Sequence, residues 1–557
     1  MTQKLTPAID TSLYPNRWIA VVKDHVIGVG LTPEQAFRAA KRTRSKDKPA
    51  LLFVDSEGQV RLPQASAADW LNHHPLLRET IALLQNQQTE AYLVGGAVRD
   101  LLLGRNEVVD FDFVVPDNGL TVARRVANGL QAAFYPLDTE RGTGRVVCDT
   151  PDGKIYLDFA SFRGPDLESD LADRDFTINA MAMSLTGSPQ LIDPLQGQQD
   201  LRQQHIRAVS PEAFRHDPVR VLRAVRQAAE FNFTVTPDTE TYLRQAVTQL
   251  DTVSPERQRD ELVKLLNTPA PGHTVRMLHN YGVLAPLLPE VETTVGVTQS
   301  APHYQTVFEH TLIALEVWPV DVEELGIPDL LAGHVRRYLN IEMAGHLSIA
   351  ALMPLALLLH DTGKPLTRTE EIAAAETKIR FLGHARESAH LARQVMNRFR
   401  FSSQATDFVT SVVLHHMRPL MLAAGDKLSR RAIYRFFRDS SSPTCPAGVA
   451  IALHALIDHQ ATYPPGQGQT EGEQLRHVVV QLLTAYFEAQ DQVVDPPPLL
   501  NGRDLIDIFG LKQGRLIGLL LSHLKEAQAA GEVTDRAAAI DFIKADPNFA
   551  HQQTKDL

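Results

Sequence analysis

Two glycines and two aspartates, separated by residues 97 to 109, are the part of this chain best suited to chemistry: Gly95-Gly96, then Asp110-Phe111-Asp112. The aspartates lie in a run rich in Val and Phe, residues 108 to 115, which predicts a strand. Side chains alternate along a strand, so Asp110 and Asp112 point to one face. Two carboxylates on one face repel each other unless a cation lies between them. Mg²⁺ takes hard oxygen ligands and keeps positions open for substrate phosphates. Glycines, having no Cβ, let backbone N–H groups come close to those phosphates. Together these residues suit transfer of a nucleotidyl group with two metals. The plain structural alternative is a glycine turn followed by two solvated aspartates.

Other segments stand ready to position or extend this pair. Tyr92-Leu93-Val94 reads as a strand running into the glycines, and residues 98 to 103 read as a helix after them. Ile155-Tyr156-Leu157-Asp158-Phe159 is a second apolar strand with one acid. Two readings of Asp158 stand: a third metal carboxylate, or a solvated residue near a turn. Arg174-Asp175-Phe176-Thr177-Ile178-Asn179 offers an arginine as an anion clamp, with Asp175 and Asn179 able to form a capping network. Next comes His216-Asp217-Pro218-Val219-Arg220. Pro218 fits the first turn of a helix and Asp217 its N-cap. Arg220, Arg223 and Arg226 recur every third residue and so share a helical face, where anions would relieve their repulsion. A solvated basic face is the alternative. Arg141-Gly142-Thr143-Gly144-Arg145 reads as a mobile basic loop or a hairpin turn.

Bulk properties bound the class. The chain has 557 residues and a net charge of −11, with 44% hydrophobic and 22% charged residues. That is the composition of a globular protein of several domains, and its charge argues against a general nucleic-acid coat while allowing a local basic groove. Two cysteines cannot build a disulfide framework, so a cytoplasmic setting is expected. The longest apolar run, residues 347 to 359, is too short to span a membrane and reads as a buried helix. The expected divisions are a small α/β module at 1–65, an α/β head at 75–205, a helical neck or body at 206–295, a histidine-rich helical domain at 300–465 and a helical tail at 475–557. Thr32 to Gln35 offers a capping box inside the first module. Residues 463 to 474 and 495 to 498 read as linkers.

The Gly-Gly and Asp-x-Asp spacing resembles the signature of polymerase-β-like nucleotidyltransferases. The fuller string YLVGGAVRDLLLG…DFDFVV resembles the class II branch, the CCA-adding tRNA nucleotidyltransferase and bacterial poly(A) polymerase family. The resemblance covers nearly everything from about residue 75 onward. It implies an α+β polymerase-β-like head followed by an all-α neck and body. The implied catalytic carboxylates are Asp110, Asp112 and Asp158, with Mg²⁺ on the first two. Gly95, Gly96, Arg99, Arg174, Arg223 and Arg226 are the implied triphosphate contacts. Asp217 and Arg220 match the family residues that read the Watson–Crick edge of an incoming C or A, so that protein replaces a template. His216 stands where the family usually has Glu, which puts base selection in question. The implied partners are CTP, ATP and the 3′ end of tRNA, with neither DNA nor a membrane involved. The implied reaction is CCA addition with release of pyrophosphate; addition of A only, of C-C only, or of poly(A) is the alternative within the class.

His310, His360-Asp361 and Asp458 follow the order H…HD…D, which resembles the metal-dependent HD phosphohydrolases. Imidazole with carboxylate suits a divalent transition metal. His384 and His416 are candidate ligands for a second ion, His416 being preferred over His415 because Met417-Arg418-Pro419 follows it. A rival of another class is therefore a phosphohydrolase with an RNA-binding head, and a further one is an RNA chaperone without catalysis. The run from Lys427 to Phe437 interleaves arginines with aromatics. Its helical spacing predicts core aromatics with solvated arginines, against the alternative of an RNA grip.

Overall fold

In the computed structural model the described residues are 13–15, 17–22, 25–30, 36, 39–40, 50–54, 60–61 and 74–555, the last span omitting 106–107, 151–152, 187–188, 319–321, 374–375, 426 and 443. The chain divides into two units: Met1–Arg220 with Phe231–Ala246, and Val221–Glu230 with Val247–Leu557.

The first unit holds two sheets. Strands β1 (Arg17–Val22), β2 (His25–Gly30), β3 (Ala50–Val54) and β4 (Val60–Arg61) form an antiparallel sheet in the order β2-β1-β3-β4. Strands β1 and β3 lie on either side of Thr32 to Gln35 in sequence; the capping box expected there lies outside the described residues.

The head sheet has seven strands: β5 (Tyr92–Val94), β6 (Asp110–Val115), β7 (Ala133–Asp138), β8 (Thr143–Thr150), β9 (Gly153–Ser161), β10 (Ala182–Ser184) and β11 (Leu191–Ile192). Their order is β11-β10-β5-β6-β9-β8-β7. Only β6 and β9 pair in parallel, and every other neighbouring pair is antiparallel. The alternation in β6 decides its orientation. Phe111 and Phe113 are buried, and Phe113 stacks on Phe159 of β9 with ring centroids 4.6 Å apart. The intervening aspartates are therefore turned to the opposite, exposed face. Helix α1 (Gly119–Leu130), capped by Asn118, packs on β8 and β9. A Cβ on Gly119 would fall 2.4 Å from the Gly142 carbonyl oxygen, so only glycine allows the helix start to press this close to the sheet.

The basic segment around Gly142 is a hairpin rather than a free loop. Residues Thr143 to Arg145 already belong to β8, paired with β7 and β9.

The second unit is helical. Helix α2 (Val307–Val317) and helix α3 (Ile349–Leu359) carry His310 and lead into His360. Helix α3 is apolar all round and buried from Leu352 to Leu359, as a core helix must be. Helices α4 (His384–Arg398), α5 (Ser403–His415), α6 (Arg430–Ser440) and α7 (Ala447–Thr462) complete the surroundings of the histidines. One departure from the all-helical expectation is an antiparallel hairpin, Arg368–Ala373 with Glu376–Phe381. Another is the expected linker at 463–474: a helix starts at Gln469, behind Gly468, which takes φ = 69°.

Among the described residues, no helix is long and apolar enough to cross a membrane.

Candidate active site and metal cluster

In the head, strand register gathers the predicted carboxylates. In the parallel pair β6–β9, Asp112 lies abreast of Asp158 and Asp110 abreast of Tyr156. Residues abreast share a face, so Asp110, Asp112 and Asp158 form one acidic patch. Asp158 is also held by Arg145, its cross-strand neighbour on β8. The Nε of Arg145 donates to one carboxylate oxygen at 2.8 Å and Nη2 to the other at 2.7 Å. The solvated reading of Asp158 is thereby corrected: it is a paired residue on the acidic face.

Gly95 supplies the second wall. Its φ of +73° is a conformation that L side chains rarely adopt. A Cβ there would stand 3.1 Å from Arg174 Nη1 and 3.5 Å from Asp112 Oδ2. Gly95, Arg174 and Asp112 therefore meet at one point. Arg174 is fixed from behind by Asp170, whose buried carboxylate accepts at 3.0 Å. Arg99 lies against Gly96, since a Cβ on Gly96 would come 3.3 Å from Arg99 Nη2. It is braced by Asp100 and donates from Nη1 to Asn179 Oδ1 at 2.7 Å. Asn179 in turn donates to Asp175 at 2.9 Å. The expected Asp175/Asn179 network exists, and its wider effect is to aim Arg99. Sequence reasoning missed Asn179 as Arg99's partner and Arg145 as Asp158's, because those contacts join separate segments, and it missed Asp170, whose signal was the four-residue step to Arg174.

The stretch after residue 213 departs from expectation. Asp217 follows a short helix, Ala213–His216, with an extended backbone, and the next helix starts at Arg220. The Asp217 carbonyl accepts the Arg220 N–H at 3.0 Å. Proline at 218 accordingly sits in the intervening turn. Arg220 is buried and donates to the carbonyls of Asp173, Arg174 and Ala213 at 2.6, 3.0 and 3.1 Å. Arg226 is paired with Glu261 at 2.8 Å and Glu230 at 2.9 Å. A uniform row of anion-facing arginines is thus replaced by two arginines engaged within the protein. Arg223, the remaining member, is half-buried. His216 is exposed and lies 3.3 Å from an Asp173 carboxylate oxygen.

In the helical domain the expected residues converge. His310 Nε2 lies 2.9 Å from Asp458 Oδ1 and 3.7 Å from Asp361 Oδ2. His360 Nε2 lies 3.1 Å from Asp361 Oδ2. His384 Nε2 lies 3.5 Å from Asp361 Oδ1 and 3.3 Å from His416 Nε2. Two metal-sized groups result, His310/His360/Asp361 and Asp361/His384/His416, with Asp361 common to both. The backbone fixes the rings. The Nδ1 atoms of His360, His384 and His416 contact the carbonyls of Leu357, Phe381 and Val413 at 2.8, 2.9 and 2.7 Å. With Nδ1 donating, Nε2 is the atom each ring turns toward the group, and its lone pair can take a metal when the ring is neutral. His416, not His415, is the buried member that enters the group.

Buried carboxylates need nearby positive charge. Lys364 Nζ lies 2.7 Å from Asp361. Burial works against a charged His360, but Asp361 and Asp458 outweigh it and push its pKa up to about 10. Burial, with His360 alongside, pushes His416 down to about 3, and burial with Lys364 does the same to His303. Sequence reasoning missed His454, which is fully buried with its ring centroid 5.0 Å from His360 and 5.5 Å from His416. Its signal was the four-residue step to Asp458, which places both on one face of α7. A cleft of about 700 Å³ reaches Asp361, Lys364, His384, His416 and Asp458.

The donor sets differ in chemistry. Carboxylates alone in the head suit Mg²⁺; imidazoles with carboxylates in the cluster suit a divalent transition metal.

Known proteins match along most of the chain. The family described as poly A polymerase head domain matches residues 91–207, the probable RNA- and SrmB-binding site of polymerase A matches 232–294, and the HD domain matches 341–444. An A-adding tRNA nucleotidyltransferase of Deinococcus radiodurans is 34% identical over 82% of this chain and 95% of its own length. A CC-adding tRNA nucleotidyltransferase of Thermus thermophilus is 31% identical over 82% of this chain and 93% of its own. A solved Thermotoga maritima CCA-adding enzyme, complexed with tRNA, shares the fold at a TM-score of 0.52 and 22% identity, over 86% of this chain and 98% of that one.

Proposed function

The chain belongs to the tRNA nucleotidyltransferase family, and we propose that within it this enzyme adds C and A to the 3′ end of tRNA from CTP and ATP, releasing pyrophosphate. The observation that carries this reading is the meeting of Asp110, Asp112 and Asp158 on one face, beside Gly95 and Arg174. Asp110 and Asp112 would hold Mg²⁺, which when bound makes the RNA 3′-hydroxyl a better nucleophile and neutralises the departing pyrophosphate. Gly95 and Gly96 let the triphosphate approach the backbone. Arg99 and Arg174, each held by a carboxylate partner, present fixed positive charge to it. The 3′-hydroxyl oxygen bonds to the α-phosphorus as the bond to the pyrophosphate oxygen breaks, in line. Asp217 and Arg220 read the base. Three backbone carbonyls hold Arg220 in one orientation, which favours a fixed pattern of donors over a flexible one. Arg223 adds positive charge, while Arg226 braces its helix through Glu230 and Glu261.

The Deinococcus relative is A-adding and the Thermus relative CC-adding, so the product is tested directly. Purified protein with Mg²⁺ is given three tRNAs, ending at the discriminator base, at C and at C-C, with labelled CTP, ATP or both. Completion to C-C-A on all three is the expected result. Only A on C-C, only C additions, or long A tails would each replace the reading with a specialist.

The six converged residues of the HD cluster favour a second reading beside the first: a divalent transition metal on His310, His360, Asp361 and Asp458, a second ion on His384 and His416, and hydrolysis of phosphoesters. A cytoplasmic location, where tRNA is matured and thiols stay reduced, fits both.

A further inference from the structure

Asp158 presents a conflict. Its register beside Asp112 puts a third carboxylate within reach of any cation held on that face, because neighbouring strands lie only about 4.8 Å apart. Yet both of its oxygens are engaged by one guanidinium, the bidentate geometry in which arginine binds carboxylate most strongly. The pair is only partly covered, with Arg145 34% and Asp158 19% exposed at the side chain, so neither is locked away from a competing ion. A divalent cation and a guanidinium repel each other and want the same oxygens. Arg145 also has a second partner in the same position. Its guanidinium carbon lies 4.9 Å from the Tyr156 ring centroid, and Tyr156 is abreast of Asp110 on the same face. The aromatic ring can keep hold of the arginine if the carboxylate lets go.

We propose that Arg145 competes with the active-site cation for Asp158, so that binding of the cation to Asp110 and Asp112 draws Asp158 out of the Arg145 pair and leaves Arg145 on Tyr156. This rests on the reading of Asp110 and Asp112 as the seat of the cation. It makes Arg145 a positioning residue that keeps the third carboxylate neutralised until the metal arrives, and it makes metal binding weaker than the carboxylates alone would allow.

The test is a double-mutant cycle on Mn²⁺ affinity, read by electron paramagnetic resonance and so independent of turnover. The full chain carries Asp361→Ala throughout to remove the HD cluster's ions, and Asp110→Ala provides the blank for the head site. Thermal melting of each variant checks that it is folded. Arg145→Met should tighten Mn²⁺ binding by about fivefold or more, the order expected for releasing a partly exposed charged hydrogen-bonded pair. Arg145→Lys, which keeps the charge but loses the two-pronged grip, should give a smaller gain. In an Asp158→Asn background the gain from Arg145→Met should vanish. An equal gain with and without Asp158 would show only through-space repulsion and overturn the proposal, as would no gain at all. If Asp110→Ala leaves Mn²⁺ binding intact, the head reading itself fails, a result distinct from failure of the cycle.

Discussion

The head and the HD cluster both set carboxylates where a divalent ion can be held, and they do so in opposite ways. Asp110 and Asp112 are exposed on the face of a sheet and offer carboxylate oxygens. His310, His360, Asp361 and Asp458 are buried, and three of the cluster's imidazoles are fixed by the carbonyls of their own segments. An exposed oxygen site exchanges its ion with solvent and shares it with an arriving triphosphate. A buried mixed site is formed before its ion arrives and holds it. The difference suits the two proposed kinds of work, a transfer in which Mg²⁺ would travel with the nucleotide and a reaction on a metal that would stay in place.

Metal removal separates the two most sharply. Brief chelation should abolish nucleotide incorporation completely, with full recovery on adding Mg²⁺. Metal content measured by mass spectrometry should meanwhile show the cluster's ions retained through the same treatment. Loss of both at equal rates would break the contrast.

Gly95→Ala probes the head alone. A backbone at φ 73° and ψ −137° costs an L residue roughly 1–3 kcal/mol, and the new methyl would crowd Arg174 and Asp112. Incorporation should fall by about 10²-fold, the scale of a small misplacement at a reacting centre, with phosphoester hydrolysis unchanged.

Acid probes the cluster alone. In the metal-free protein His303 and His416 stay neutral down to about pH 3, whereas in the unfolded chain they titrate near 6.5. A depressed histidine pKa means that the unfolded state binds the proton first. Stability is therefore whole above pH 6.5 and is lost as pH falls from about 6.5 toward 3, by roughly 1.4 kcal/mol per pH unit for each such histidine. His360 has the opposite sign, its contribution being whole below 6.5 and lost as pH rises through about 10. Denaturant melts between pH 4 and 7 should show the acid slope, and His416→Gln should flatten it.

The smallest effect is expected at Arg435. It pairs with Glu526 at 2.6 Å and is half exposed, so Arg435→Ala should cost within about 1 kcal/mol in a thermal melt. Affinity for tRNA should not change, because this arginine faces a carboxylate of the tail. A tenfold loss of tRNA binding would restore the RNA-grip reading of that helix.

What could be read from the sequence was what local spacing encodes. The step between Asp110 and Asp112 fixed their common face, and the apolar run before His360 fixed a buried helix that delivers it. The order of the histidines pointed to one cluster. Long-range pairing was hidden. Nothing in the neighbourhood of Arg145 indicates that β8 will set it opposite Asp158, and nothing near Asn179 shows that it will hold Arg99. The arginines of the run from Lys427 to Phe437 were expected to be solvated; Arg431 and Arg435 pair with Glu526 instead, as does Arg438 just beyond the run, while Ile433, Phe436 and Phe437 are buried as their spacing required. The hairpin of Arg368–Ala373 and Glu376–Phe381 escaped notice because its first strand is charged without alternation, and the alternation of Thr377, Ile379 and Phe381 in the second is short and set between helical segments.

On this reading nucleotidyl transfer belongs to the head carboxylates and not to the HD cluster. The most direct measurement is single-turnover incorporation of labelled ATP onto tRNA ending in C-C, by the native chain and by its Asp110→Ala and Asp361→Ala variants. Asp110→Ala should lower the rate by at least about 10³-fold, the scale on which a preorganised catalytic charge acts, while Asp361→Ala should leave it within about twofold. Incorporation that survives Asp110→Ala, or that is lost with Asp361→Ala, would contradict the claim.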